Sequence, residues 1–152
     1  MKRTNPITKD LIAPCGMNCA ICSKYLAYAN NLKRSQCIGC RPRNNKCTYL
    51  FEKCPGSNST LKGITKAIFC YECDKFPCKQ INSMDKRYRN NYKMSVIENL
   101  DYINSMGIDK FIKNQYKKYS CLKCGGLFSI HNRKCFKCDT ITRLVEKFDK
   151  KY

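Results

Sequence analysis

The stretch Cys15-Gly16-Met17-Asn18-Cys19-Ala20-Ile21-Cys22 opens a cysteine-rich region that extends to Cys78. Apolar runs in this region are short, so burying them offsets little of the entropy that is lost when the chain becomes ordered. We expect metal-bound thiolates to close the loops instead, because the free energy of metal binding adds to that of folding. The region holds ten of the fourteen cysteines, namely Cys15, Cys19, Cys22, Cys37, Cys40, Cys47, Cys54, Cys70, Cys73 and Cys78.

Cysteines can form disulfides or bind metals, and the cellular compartment decides between these two uses. Residues 1–10 are basic but lack the apolar run of a secretory signal. No apolar segment of the sequence approaches the roughly 20 residues that cross a bilayer. We therefore predict a cytoplasmic protein without a membrane span, in which reduced Cys-x-x-Cys pairs bind metal.

A second cysteine motif lies near the C-terminus, where Cys121-Leu122-Lys123-Cys124-Gly125-Gly126 precedes Cys135-Phe136-Lys137-Cys138. Ten residues separate the two Cys-x-x-Cys pairs, and they include the strand-like run Leu127-Phe128-Ser129-Ile130. Tetrahedral zinc binds four thiolates at about 2.3 Å, and each tight turn presents two of them. The motif predicts a zinc ribbon, with a helix over Ile141–Phe148 packed against it. Its zinc ligands are Cys121, Cys124, Cys135 and Cys138.

The ten N-terminal cysteines do not divide evenly into sites of four ligands. Two such sites leave two cysteines over, whereas a six-cysteine cluster with two metals and one ordinary site would use all ten. We predict that all ten bind metal and that the chain holds three or more zinc ions. An iron–sulfur cluster in this region is the alternative, because four thiolates suit either metal.

These motifs predict a small, metal-stabilised α+β protein in three parts. Residues 1–82 form a cysteine-rich metal-binding module, residues 83–118 a helical connector, and residues 119–152 the zinc ribbon with its C-terminal helix. Apolar spacing within the module favours helices over Ser23–Leu32 and over residues 60–69.

Helix-terminus signals define the connector. Ser95 and Glu98 form a capping-box pattern at the start of one helix. Gly107 stands where a C-cap glycine belongs, and a second helix is expected to begin at Asp109.

The chain is strongly basic, with thirty Lys and Arg against eleven Asp and Glu and a formal net charge of +19. This charge favours an anionic partner, either nucleic acid (RNA or DNA) or an acidic protein. A lysine bias in the coding sequence would instead make the charge incidental. Two basic tracts, residues 86–93 and 113–119, also carry tyrosines, whose rings can stack on unpaired bases. The candidate phosphate-binding residues in these tracts are Arg87, Arg89, Lys113, Lys117 and Lys118.

Catalytic motifs are missing from the sequence, which has no His-Glu-x-x-His, no Walker loop and no deaminase signature. The single histidine, His131, is predicted to be an exposed loop residue. We therefore predict a non-catalytic binding module for nucleic acid or for a nucleic-acid-associated complex. The alternatives are an iron–sulfur or thiol redox protein of anaerobic metabolism, and a protein-interaction adaptor.

The cysteine pattern resembles that of a prokaryotic family known as domain of unknown function 3795. The resemblance rests on Cys-Gly-x-x-Cys-x-x-Cys at 15–22, Cys-x-Gly-Cys-Arg at 37–41 and Phe-Cys-Tyr-Glu-Cys-Asp-x-Phe-Pro-Cys at 69–78. Later motifs extend it through Asp-Lys-Arg-Tyr at 85–88 to the terminal ribbon. It implies a small zinc-binding protein with cysteine ligands, and it implies no reaction.

Overall fold

The computed structural model describes residues 7–32, 36–41, 69–73 and 75–138, and these ranges are mostly helical. Within these described ranges lie four α-helices, namely α1 (Ser23–Ala29), α2 (Lys79–Tyr92), α3 (Val96–Met106) and α4 (Ile108–Tyr119). Three short 3₁₀ helices cover Lys9–Leu11, Cys19–Ile21 and Cys70–Glu72. Strand pairing within the described ranges is limited to three antiparallel bridges, which join Ile12 to Asn18, Ser120 to Leu127 and Phe128 to Cys135.

The β part of the predicted α+β class is therefore slight in the described residues. Short turns around the cysteines replace extended strands there. The helices predicted over residues 60–69 and Ile141–Phe148 lie outside the described residues.

Helix α1 confirms the prediction of a helix after Cys22, although it ends at Ala29 rather than at Leu32. Asn31, with φ of 54°, adopts the left-handed conformation. A left-handed residue stops a right-handed helix, and asparagine tolerates this conformation better than most residues do.

The predicted termini of α3 and α4 are confirmed. Ser95 caps α3, since its hydroxyl oxygen accepts a hydrogen bond from the Glu98 backbone amide at 3.0 Å. Gly107 ends the helix with φ of 91°, and α4 begins at Ile108, one residue before the predicted start.

Helix α2 has 14 residues, and the predicted helical connector covers it from residue 83 onward, but neither its start nor its end was predicted. Its buried face consists of Ile81, Met84, Asp85 and Tyr88. A carboxylate in the middle of that face interrupts the apolar spacing on which helix prediction depends. The helix runs across the boundary placed between residues 82 and 83, and the domain boundaries themselves stay a prediction.

Asp85 joins α2 to the start of α3. One of its carboxylate oxygens accepts hydrogen bonds from the Ser95 hydroxyl at 2.6 Å and the Ile97 amide at 3.0 Å. The other accepts a hydrogen bond from Arg89 Nε at 2.6 Å. Burial acts to raise the pKa of Asp85, but the bonds from Ser95, Ile97 and Arg89 outweigh it and hold the pKa below its usual value. The buried carboxylate of Asp85 is thus ionised, and both of its oxygens accept hydrogen bonds.

We expect Asp85→Asn to lower the free energy of unfolding by about 2 kcal/mol at pH 7, because hydrogen bonds to a charged group are worth about 1.5–3 kcal/mol. The folded-state pKa lies below the unfolded value of about 3.9. The stabilisation is therefore complete above that pH and is lost only as the pH falls through the folded-state pKa. Urea denaturation at pH 7 measures the full difference in the free energy of unfolding between the Asp85→Asn chain and the unsubstituted chain.

Asp109→Asn is the control for this substitution. The Asp109 side chain is 81% exposed and lies 3.6 Å from Lys9 Nζ. The loss of its charge should therefore lower the free energy of unfolding by at most about 1 kcal/mol. Equal destabilisation by the two substitutions would contradict the bridging role of Asp85.

One apolar core connects the described parts of the chain. Ile12 and Ile21 of the cysteine-rich region belong to it, together with Leu100 of α3, Phe111 of α4 and Ile130 near the C-terminal cysteines. Each of these five side chains is at most 1% exposed. The cysteine-rich region was expected to bury little apolar surface, yet its described residues contribute directly to this core.

Candidate metal centres

Four cysteines near the C-terminus converge on one point. Cys121 Sγ lies 3.7 Å from Cys138 Sγ, and Cys124 Sγ lies 3.4 Å from Cys135 Sγ. All four sulfur atoms lie within 4.8 Å of one another. A tetrahedral ion with metal–sulfur bonds of about 2.3 Å separates its ligands by about 3.8 Å. The predicted ribbon cysteines thus form a group that could hold one metal ion.

Local backbone structure builds this four-cysteine site. The Gly125 amide donates to the Cys121 carbonyl at 2.8 Å, and the Cys121 amide donates to the Gly126 carbonyl at 2.6 Å. Gly125 takes φ of 74° in this turn. The Gly126 amide then points at Cys124 Sγ from 3.4 Å, which is the arrangement that stabilises a thiolate.

Gly126 also lies close to two of the cysteine sulfurs, so that a side chain there would require them to shift. A Cβ atom at this position would lie 3.2 Å from Cys135 Sγ and 3.3 Å from Cys124 Sγ. Burial raises the pKa of Cys135 to about 12, and the neighbouring thiols of Cys124 and Cys138 add to that effect. Metal binding at this site therefore has to displace protons.

The N-terminal cysteines are arranged differently. Five of them surround one cavity of about 360 Å³, which α2 also lines. The described part of the chain holds no second group of three or more metal-binding side chains whose ligand atoms approach within 4.8 Å. These cysteines therefore line a shared space without three of their ligand atoms converging on a single point. The five cysteines are Cys15, Cys19, Cys22, Cys37 and Cys40.

The turn that carries Cys37 is held against α1, since the Cys37 amide donates to the Lys24 carbonyl at 3.1 Å. The Gly39 amide points at Cys37 Sγ from 3.4 Å, as the Gly126 amide does at the C-terminal site. Burial raises the pKa of the Cys22 thiol, and the nearby thiols of Cys19 and Cys37 raise it further. The loop that carries Cys19 and Cys22 and the turn that carries Cys37 therefore lie close together beside the cavity.

Buried amides position the loop that carries Cys15 and Cys19. Asn99 of α3 donates to the Gly16 carbonyl at 3.0 Å. Asn18 donates to Gln115 of α4 at 3.2 Å, and its own side-chain oxygen accepts from the Ala20 amide at 3.0 Å. No local sequence pattern marks Asn18, Asn99 and Gln115 as buried, because polar residues are usually exposed.

The third N-terminal group comprises Cys70, Cys73 and Cys78. Cys70 is buried, and its amide donates to the Pro14 carbonyl at 2.8 Å. This bond ties the segment to the loop that precedes Cys15. Cys47 and Cys54 lie outside the described residues, so the predicted use of all ten cysteines as ligands stays a prediction.

The prediction of an exposed His131 is wrong. The Ser23 amide donates to His131 Nδ1 at 3.2 Å, and Nε2 lies 3.2 Å from the Tyr88 hydroxyl. Because Nδ1 accepts, the neutral ring carries its proton on Nε2, facing Tyr88. Burial and the nearby charges of Arg87 and Lys24 lower the pKa of His131. The histidine fastens the C-terminal segment to α1 and α2 and lines the cavity.

The predicted phosphate-binding residues fall into different settings. Arg89 pairs with Asp85 and Glu98, so it takes part in helix packing. Arg87 lines the cysteine cavity, with its guanidinium 5.6 Å from the centre of the Tyr88 ring. Lys113 and Lys117 are exposed on α4, and Lys118 is half-buried. The structure thus brings only the three lysines together on one helix.

The tyrosines of the two basic tracts do not form an exposed stacking surface. Tyr88 and Tyr119 are buried. Tyr116 is half-buried, and its hydroxyl accepts a hydrogen bond from the Ile7 amide. Burial of Tyr88 and Tyr119 disfavours stacking of these two rings on bases, whereas stacking by the half-buried Tyr92 and Tyr116 stays a prediction.

The described fold and its four-cysteine group define a small, mostly helical protein with one site able to hold a metal ion. Residues 11–83 match the model of a family described as protein of unknown function (DUF3795). The match covers a little under half of the 152-residue chain and confirms the resemblance for this cysteine-rich segment. The motifs after residue 83 lie beyond it, so their resemblance stays a prediction. No curated protein and no solved structure matches the chain.

None of the helices within the described ranges has the length and apolar character needed to cross a membrane.

Proposed function

We propose that the protein is a non-catalytic binding module stabilised by zinc at the four C-terminal cysteines, in a ribbon-type turn pair. The supporting observation is the convergence of four sulfur atoms within 4.8 Å. A site with four thiolates is closed to substrate, whereas catalytic zinc sites keep a position open for water. The ion would therefore serve structure rather than chemistry.

Two features fit a zinc ribbon. All four metal ligands are cysteine sulfurs, and tetrahedral sites made of sulfur ligands are typical of zinc or iron. The bridges Ser120–Leu127 and Phe128–Cys135 join the two cysteine turns as a short hairpin would. Native mass spectrometry with elemental analysis tests the assignment. We expect at least one zinc ion per chain that resists desalting, and a fully folded chain without metal would overturn it.

Nucleic acid is the partner that we propose for this module, and α4 supports that choice. Lys110, Lys113 and Lys117 recur at three- and four-residue spacing, which places them on one helical face. All three are exposed. A row of cations along a helix can neutralise successive phosphates, and binding then releases condensed counterions. An acidic protein surface is the competing partner.

We expect the affinity for single-stranded RNA or DNA to fall log-linearly with salt. Replacing Lys113 and Lys117 together by alanine should flatten the slope by about 1.4, since each phosphate contact contributes about 0.7. Fluorescence anisotropy with a labelled oligonucleotide over a salt series measures this slope.

The matched control removes the same charge elsewhere. Lys75 and Lys79 are exposed and lie outside both basic tracts, and their replacement by alanine should leave the slope unchanged. Equal effects of the two double variants would indicate a general charge effect, and no binding at low salt would exclude a nucleic-acid partner.

A further inference from the structure

The cavity between the cysteine-rich loops and α2 is much larger than one metal ion requires. Its volume is about 360 Å³, whereas about 10–15 Å³ is enough to hold a single water molecule. Pockets of roughly 300–1,000 Å³ are typical of small-molecule and cofactor sites. One zinc ion with its bonds to four sulfurs would leave most of this space empty.

The cysteines around the cavity do not form a compact site for one ion. Five of them line it, yet no three of these bring their ligand atoms within 4.8 Å of one another. A four-iron iron–sulfur cluster keeps its terminal thiolates farther apart than a single ion does, because irons and sulfides lie between them. Cysteine thiolates are the usual ligands of such clusters.

The remaining walls suit a sulfur-bound cluster with net negative charge. Met17 and Met84 supply apolar surface, and Lys24 and Arg87 supply positive charge. The Gly39 amide already points at Cys37 Sγ from 3.4 Å. Amide hydrogen bonds to sulfur, burial and nearby charge are the means by which proteins stabilise and tune these clusters.

From this geometry we infer that the cavity binds one four-iron iron–sulfur cluster through four of the five cysteines Cys15, Cys19, Cys22, Cys37 and Cys40. Binding of an assembled cluster requires only that four thiols lose their protons to solvent, so it consumes no oxidant or reductant. The site shares no cysteine with the C-terminal group. The proposed cluster takes the place of zinc among the N-terminal cysteines. Zinc can still bind to the four C-terminal cysteines at the same time.

The test uses the full chain, incubated without air with equal amounts of ferric and ferrous iron and with sulfide, and then desalted. This mixture matches the average oxidation state of a four-iron cluster with two ferric and two ferrous ions, so assembly needs no further redox reagent. We expect about four iron and four sulfide ions per chain, with broad visible absorbance and a four-iron Mössbauer spectrum. A desalted chain that keeps no sulfide would overturn the inference, whatever its zinc content.

Two multiple variants locate the cluster. Cys15→Ser, Cys19→Ser and Cys22→Ser together leave two of the five cysteines, which are too few to hold a four-iron cluster, so sulfide retention should fall to background. Cys121→Ser with Cys124→Ser should lose zinc and disturb residues 120–138, including His131 in the cavity wall, but it should retain the cluster because all of the proposed cluster ligands lie outside that segment. Retention by the first variant, or loss of sulfide only from the second, would place the cluster elsewhere and contradict the inference. Sulfide analysis of the unsubstituted chain stands even if the first variant fails to fold.

Discussion

The Cys124→Ser chain is expected to lose one zinc ion and the folded arrangement of residues 120–138. Zinc binding to comparable structural sites is worth about 10–16 kcal/mol at neutral pH, which matches or exceeds the total stability of a typical domain, about 5–15 kcal/mol. The bonds that hold this segment, such as Phe128 amide to Tyr119 carbonyl at 2.8 Å, cannot compensate for such a loss. Native mass spectrometry measures the zinc, and amide hydrogen exchange measures the segment.

Helices α3 and α4 should survive this change with a lower melting temperature. Leu100 and Phe111 are buried in the core, and their packing does not depend on the C-terminal thiols. Disappearance of all helical circular dichroism would show instead that the described protein unfolds as one cooperative unit.

Leu122→Ala is the control within the same turn. Leu122 lies between Cys121 and Cys124, and it is 91% exposed. Its truncation should change neither the zinc content nor the melting temperature. Stoichiometric zinc in the Cys124→Ser chain would contradict the assignment of Cys124 as a ligand.

The Gly16→Ala chain should be destabilised by about 2–6 kcal/mol. Gly16 has φ of +87°, and a Cβ atom there would lie 2.8 Å from the Val96 carbonyl oxygen and 2.9 Å from Leu100 Cγ. The strained backbone costs about 1–3 kcal/mol, and overpacking of a buried contact adds about 1–3 kcal/mol. Urea denaturation with metal and reductant present measures the sum.

Gly107→Ala separates these two costs. Gly107 has φ of +91°, but a Cβ atom there would meet nothing within 4 Å. It should therefore show only the cost of backbone strain. If Gly16→Ala proves no more destabilising than Gly107→Ala, the close approach of the loop to α3 does not contribute to stability.

The sequence predicted the C-terminal site well because that site is local. Two tight turns hold Cys121, Cys124, Cys135 and Cys138, and glycines such as Gly125 fit the backbone of the turns. Spacing alone therefore predicted which sulfur atoms converge. The helix caps at Ser95 and Gly107 were predictable for the same reason.

The N-terminal cavity could not be predicted in this way, because contacts distant in sequence create it. Asn99 lies 83 positions from Gly16, and Gln115 lies 97 positions from Asn18. Each of these residues would ordinarily be assigned to the surface. The start and end of helix α2, which lines the cavity, were not predicted, because the buried Asp85 interrupts the apolar spacing of its inner face. The position of the cavity thus depends on contacts between residues that are distant in sequence, and composition and hydrophobic periodicity do not reveal such contacts.

The position of His131 has a consequence for the order of events during protein synthesis. Its ring contacts Ser23 and Tyr88, and the adjacent Ile130 amide donates to the Ile21 carbonyl at 2.9 Å. Ribosomes build chains from the N-terminus, so Cys15–Cys40 emerge into the cell long before this part of the cavity wall has been translated. His131 can therefore complete its part of the cavity wall only after it has left the exit tunnel, and until then the loop that carries Cys19 and Cys22 lacks these contacts.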